Sequence, residues 1–248
     1  MLRRGLIGML LALAGAAAAA GQVQVAVAAN MAAPMKKIAA DFARATGHEA
    51  VVVLGSTGKF YAQIRAGAPF EVLLAADDTT PAKLEQEGLA VPGTRFTYAT
   101  GQLVLWSADP SVVDPQGQVL RQPPRGKLAV ADPKLAPYGA AAVQTLTKLG
   151  LLAAWQPQFV QGESIGQAWQ FAATGNATLG FVALAQVMAD GRIAKGSAWI
   201  VPADLHAPLK QDAVVLKPGR SNPAAAAFME FLKGDATRAT LRSFGYTI

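Results

Sequence analysis

The chain has no cysteine and only two histidines, His48 and His206, and this shortage removes several chemistries at once. Disulfides, thiolate catalysis, thiolate metal sites and a cysteine for lipid attachment are all excluded. Two histidines so far apart in sequence do not suggest a metal centre. Charge is scarce too: 15% charged against 52% hydrophobic residues is a balance that collapses into a core. The formal charge of +6 is not a nucleic-acid footprint, because Arg3 and Arg4 belong to a leader and the other basic residues are scattered rather than striped. No nucleic-acid partner is expected.

No strongly apolar run reaches the roughly 20 residues needed to cross a bilayer. The first stretch has the pattern of an export signal instead. Met1-Leu2-Arg3-Arg4 is charged, Gly5 to Gly15 is apolar, and Ala16 to Ala20 offers small residues for cleavage. Residues 1–20 are therefore expected to be a signal peptide, and without a lipid anchor the exported protein is expected in the periplasm. The length of 248 residues fits one large domain or two lobes.

The chain is organised around Leu54-Gly55-Ser56-Thr57-Gly58-Lys59, a polar hinge between an apolar run and a helical stretch. It reads as strand, anion-binding loop and helix start. The first amides of a helix lack intrahelical acceptors and carry the positive end of its dipole, so a bound anion satisfies both. The stretch is not a nucleotide-binding P-loop, since Lys59 lacks the glycine spacing and the following Ser or Thr. Ser56 and Lys59 match the serine-lysine pair of penicillin-recognising enzymes, but the Ser-Asp-Asn and Lys-Thr-Gly partners are absent from the chain.

The same unit recurs. Gln22 to Ala28 alternates polar and apolar before turning wholly apolar, as a strand entering a buried sheet does, and Asn30 follows as a helix cap. Lys127 to Ala131 is a strand before Ala136-Pro137-Tyr138-Gly139, which starts another helix at Tyr138. Gln158 to Gln161 is a strand before Ser164-Ile165-Gly166-Gln167, which has capping-box spacing and starts a helix at Ile165. Strands alternating with helices predict an α/β fold with mainly parallel sheets flanked by helices. Two crossings, near Gly101 and after Pro208, predict two lobes with a ligand cleft between them. The expected spans are 21–100 for the first part of lobe 1, 101–204 for lobe 2, and 205–248 for the return to lobe 1.

These segments carry a family resemblance over the whole mature chain. Val27-Ala28-Ala29-Asn30, Gly55-Ser56-Thr57-Gly58 with Tyr61-Ala62-Gln63-Ile64, Ala136-Pro137-Tyr138-Gly139 and Leu179 to Leu184, taken in order, resemble the periplasmic molybdate/tungstate-binding proteins of ABC importers, of the type II solute-binding fold. The resemblance implies high-affinity binding of molybdate or tungstate, no catalysis, no cofactor, a membrane permease as partner and a monomer. It implies oxyanion contacts from Asn30 through side chain or backbone, from Ser56 and Thr57 through hydroxyls and amides, and from Tyr138 and Ile165 through amides. Any metal is held as the oxyanion only, through the same residues. Many members have serine where this chain has Asn30, and a tyrosine hydroxyl where it has Ala183.

A fully ionised oxyanion only accepts hydrogen bonds, so its site should offer donors and no free carboxylate. The four loops meet that demand and contain no arginine, which a small carboxylate ligand would usually require. The alternatives are a different tetrahedral oxyanion such as sulfate, a small carboxylate or, less in keeping with the pattern, an exported hydrolase using Ser56. Replacing Thr57 by valine is expected to weaken binding with little change in stability.

Overall fold

The computed structural model describes residues 20–189 and 191–248, so nearly all of the expected signal peptide lies outside the described residues. In chain order the strands are β1 (Gln22–Ala28), β2 (Glu49–Gly55), β3 (Val72–Leu74), β4 (Phe96–Gly101), β5 (Leu103–Ser107), β6 (Leu128–Ala131), β7 (Phe159–Gly162), β8 (Leu179–Ala183), β9 (Met188–Ala189), β10 (Arg192–Ile193), β11 (Ser197–Ile200) and β12 (Leu209–Val215). The helices are α1 (Ala32–Thr46), α2 (Thr57–Arg65), α3 (Thr79–Gln86), α4 (Pro137–Lys148), α5 (Leu152–Trp155), α6 (Ile165–Ala173), α7 (Leu184–Val187), α8 (Pro223–Lys233) and α9 (Asp235–Ser243).

Ten strands form two five-stranded sheets, in the orders β2-β1-β3-β12-β4 and β7-β6-β8-β5-β11, while β9 and β10 make a separate small ribbon. The orders correspond position by position. In each sheet three parallel strands lie side by side, one reversed strand follows, and the edge strand beyond it regains the common direction. Four strands of every five thus share a direction, as the strand-helix alternation predicts. The reversed strand records each crossing: β5 is the first strand after the chain leaves the first sheet, and β12 is the first after it returns.

The apolar runs explain the layers. Val23, Val25 and Val27 of β1 face a core with Phe42 of α1 and Phe228 of α8. Ala26 faces the opposite side, with Phe60 and Ile64 of α2. A strand covered on both faces must be apolar on both, which is why the alternation at Gln22 and Gln24 gives way further along. The second sheet has its own core, where Leu128, Val130 and Phe181 pack with Trp155 and Leu146.

Several helix ends follow local rules. Asn222 Oδ1 accepts from the Ala224 amide at 2.9 Å in front of Pro223, and Gly47 closes α1 at φ +75°. Ser164 Oγ accepts from the Gln167 amide at 3.3 Å, but Gln167 Oε1 takes the Glu163 amide at 2.7 Å, one residue before the position a capping box would use. Asn30 departs from expectation. A buried 3-10 turn, Ala29–Met31, precedes α1, and the Asn30 side chain caps nothing. Its amide is drawn instead to buried polar partners that lie more than 180 residues further along the chain.

At α4 the fold depends on a glycine. A Cβ on Gly139 would lie 2.1 Å from the Ala131 carbonyl oxygen, so this residue lets the helix start against the end of β6. Gly139→Ala should lower stability by about 1–3 kcal/mol, the usual range for overpacking. Denaturant unfolding measures it, and an unchanged midpoint would show that α4 can move away without cost.

Candidate functional site

The parallel register of β1 and β2 pairs Ala28 with Gly55, so the residues after both strands emerge side by side. These are Asn30 in its 3-10 turn, and Ser56 and Thr57 at the start of α2. In the second sheet β6 and β7 end together, pairing Ala131 with Gly162, and the Asp132 amide donates to the Gly162 carbonyl at 2.7 Å. Beyond those ends Tyr138 is the second residue of α4 and Ile165 the first residue of α6.

The two pairs of loops meet across the cleft. The Gly58 amide donates to the Leu135 carbonyl at 2.8 Å, joining the start of α2 to the loop before α4. A Cβ on Gly166 would stand 3.2 Å from that of Ala29, which puts the start of α6 against the Asn30 turn. Asn30, Ser56, Thr57, Tyr138 and Ile165 are all at most 4% exposed. The structure therefore buries all five at two junctions, where the start of α2 meets the loop before α4 and the start of α6 meets the Asn30 turn. Two open clefts flank them. One, of about 320 Å³, lies between Asp77 to Thr80 and Pro133 to Pro137; the other, of about 450 Å³, lies between Ala29, Ala33 and Leu54 and the first turns of α6.

The five residues differ in what they have left to donate. Ser56 Oγ is buried and has no hydrogen-bond partner among the described residues, although Ser56 occupies the cap position of α2. Thr57 Oγ1 accepts from the Ala76 amide at 3.0 Å, which leaves its own proton to donate. Asn30 spends both Nδ2 protons within the protein, on Gln211 Oε1 and Tyr246 Oη, each at 2.8 Å. Its amide orientation follows from Gln211, whose Nε2 is held by the Leu209 carbonyl at 2.8 Å so that the oxygen end faces Asn30. Of the two routes expected for Asn30, the side chain is thus committed elsewhere and the backbone N–H remains. Tyr138 and Ile165 offer first-turn amides, which have no intrahelical acceptor.

Side chains that the sequence did not single out hold this arrangement. Gln186 accepts from the Ala183 amide at 2.9 Å and donates to the Ile165 carbonyl at 3.1 Å, at the point where Ala183 supplies no hydroxyl. Gln211 and Tyr246 pin Asn30. Only Gln211 had a readable signal, a polar side chain inside an apolar strand, and it is fully buried.

Carboxylates stand around the site, but each is engaged. Asp77 accepts from the amide and hydroxyl of Thr80 at 2.7 and 3.1 Å, and burial raises its pKa above the ordinary carboxylate value. Asp78 pairs with Lys210 at 3.2 Å, and Glu163 pairs with Lys59 across the cleft at 3.0 Å. Both side chains of the last pair are well exposed, so it adds little stability. Among the described residues no three His, Cys, Asp or Glu side chains gather as metal ligands.

Two sheets of this strand order with buried donors at their junction define a two-lobed binding protein, and the chain belongs to the family described as bacterial extracellular solute-binding protein, whose pattern matches residues 23–247. Its relatives are more specific. It is 58% identical over 230 residues, 93% of this chain and 91% of the other, to the molybdate-binding protein ModA of Azotobacter vinelandii. It is 52% identical to the ModA of Rhodobacter capsulatus, over 92% of this chain and 89% of that one. The solved periplasmic molybdate-binding protein of Azotobacter vinelandii superposes with a TM-score of 0.88 at 43% identity, covering 91% of this chain and 99% of the other. The sulfate-binding protein SubI of Mycobacterium tuberculosis, at 12% identity and a TM-score of 0.74 over 92% of this chain and 86% of that one, shares the fold.

The bond to Ala76 overturns one expectation. Thr57→Val would strand a buried amide, which costs about 1–3 kcal/mol, so this substitution should destabilise the ligand-free protein. Ser56→Ala removes a hydroxyl with no protein partner and leaves no amide stranded, so it should cost less than Thr57→Val. Urea unfolding of both variants separates them; equal midpoints would contradict the assignment.

Proposed function

We propose that this protein binds molybdate or tungstate in the periplasm and delivers it to the permease of an ABC importer, without catalysing a reaction. The observation that carries the reading is Ser56 Oγ, a buried hydroxyl without a protein partner at the start of a helix, facing further helix starts and no free carboxylate. Four oxygens that only accept hydrogen bonds fit donors from Ser56, Thr57 and the amides of Asn30, Tyr138 and Ile165. Helix dipoles supply positive potential without a cation, so affinity should depend only weakly on salt. The names of the molybdate-binding relatives support the same ligand.

A serine hydrolase would need a base on Ser56, and no side chain among the described residues hydrogen-bonds to it. The lobe spans proposed are 21–100 with 205–248, and 101–204, after a leader of residues 1–20; strand membership in the two sheets supports them. A monomer is proposed as the working form.

Size selects among tetrahedral dianions, since a donor ring set for longer metal-oxygen bonds leaves sulfate short of some donors. Titration calorimetry of the mature protein should show molybdate and tungstate binding tightly and alike, and sulfate and phosphate far more weakly. Sulfate binding as tightly as molybdate would refute the size argument. Ser56→Ala should lose about 10- to 100-fold in molybdate affinity, the worth of one charge-assisted hydrogen bond.

A further inference from the structure

Tyr246 lies third from the end of the chain, outside the loops that form the anion site, yet it grips one of them at two points. Its hydroxyl accepts from Asn30 Nδ2 at 2.8 Å and donates to the Asn30 carbonyl at 3.2 Å. Gln211 takes the other Nδ2 proton, so neither the amide nor the peptide of Asn30 can turn freely. The segment bearing Tyr246 is itself anchored at the crossing between the sheets: Thr247 exchanges two backbone bonds with Thr100, at 2.7 and 3.0 Å, and the Gly245 carbonyl accepts from Gln102 Nε2 at 3.3 Å.

The other lobe reaches the same spot. Tyr138 contributes an early amide of α4, and its side chain runs from there to the crossing strand, where a Cβ on Gly101 would lie 2.0 Å from its hydroxyl oxygen. Burial raises the pKa of the Tyr138 and Tyr246 hydroxyls above the ordinary phenol value, so both stay protonated at neutral pH. A phenol oxygen can donate once and accept twice, and Tyr246 spends one bond of each kind on Asn30.

We infer that Tyr246 is a positioning residue that couples the two halves of the anion site, holding the Asn30 turn in the register set when Tyr138 docks beside Gly101. The inference rests on the oxyanion reading proposed above and deepens it. A ring of donors discriminates by size only if its radius is fixed, and Tyr246, which grips the Asn30 turn, and Tyr138, which carries an amide of α4, converge on the crossing at Gly101 and Gln102. Tyr138 belongs to one sheet's lobe and Gly101 is the last residue of the other sheet's edge strand, so losing this junction should act on release of the anion more than on capture.

The test uses the mature full chain with sodium molybdate and sodium sulfate, by calorimetry and stopped-flow fluorescence. Tyr246→Phe keeps the ring and removes the hydroxyl. It should weaken molybdate binding about tenfold, mostly through faster dissociation, and lower the molybdate-to-sulfate ratio. Tyr138→Phe keeps its amide and should do the same, and the double variant should be no worse than the worse single variant, because both act through one junction at the crossing strand. Gly101→Ala should weaken binding by displacing the Tyr138 hydroxyl. Adding Tyr138→Phe should restore it to the level of Tyr138→Phe alone, a recovery that only a folded protein can show. Wild-type affinity and selectivity in Tyr246→Phe would overturn the inference, as would additive losses or equal losses for both anions. If the wild type itself binds no molybdate, the functional reading fails and this inference fails with it.

Discussion

Helix starts buried against one another are a problem before they are a site. Each brings amides without acceptors and the positive end of a dipole, and packing such ends together without an anion is unfavourable. The structure answers part of this demand internally. The Leu135 carbonyl takes the Gly58 amide, and the Gln186 side chain takes the Ala183 amide. Among the described residues Ser56 Oγ, Asn30 Oδ1 and Tyr98 Oη are buried without a partner, and of these Ser56 Oγ is the donor at a helix start that the proposed ligand would satisfy. The contacts that close the cleft and the donors left for an anion therefore draw on one supply: every amide paired across the lobes is one fewer for the ligand.

The exchange of strands between sheets makes that convergence possible. Each sheet has its three parallel strands at one side, and the helices that follow them start at the same edge, as right-handed crossovers require. The reversed strands β5 and β12 lie next to those parallel strands, so the chain crosses between lobes close to the site and not at a remote end. Gly101 and Gln102, at the crossing from β4 to β5, are thus within reach of Tyr138 and the C-terminal segment. The crossing borders the site.

Much of this was readable from sequence, because it is written in local patterns. The switch of β1 from alternating to wholly apolar, the small and polar residues after each strand, and the proline-glycine punctuation of α4 all reflect rules spanning a few residues. The helix starts at Thr57, Tyr138 and Ile165 were legible for the same reason: a helix start is a local event. What stayed hidden depends on partners distant in the chain. Asn30 has every local attribute of a cap, but its side chain turns to Gln211 and Tyr246, 181 and 216 residues away. The bond from Ala76 to Thr57 was equally unreadable, because it joins the end of one strand to the helix after another, and it alters what a substitution of Thr57 would do.

The missing hydroxyl at Ala183 gains meaning from these distant contacts. A site can fix its donors by adding another donor to the ligand or by stiffening those it already has. Here the space beside Ala183 is spanned by Gln186, which binds the Ala183 amide and the Ile165 carbonyl and so restrains the start of α6. Tyr246 restrains the Asn30 turn on the opposite lobe in the same way. Neither side chain needs to touch an anion to matter, because a donor held rigidly loses less entropy on binding and cannot shift to suit a smaller ion. Selectivity among dianions would then reside less in the count of hydrogen bonds than in the polar residues behind them. That is where relatives with the same donor set can differ.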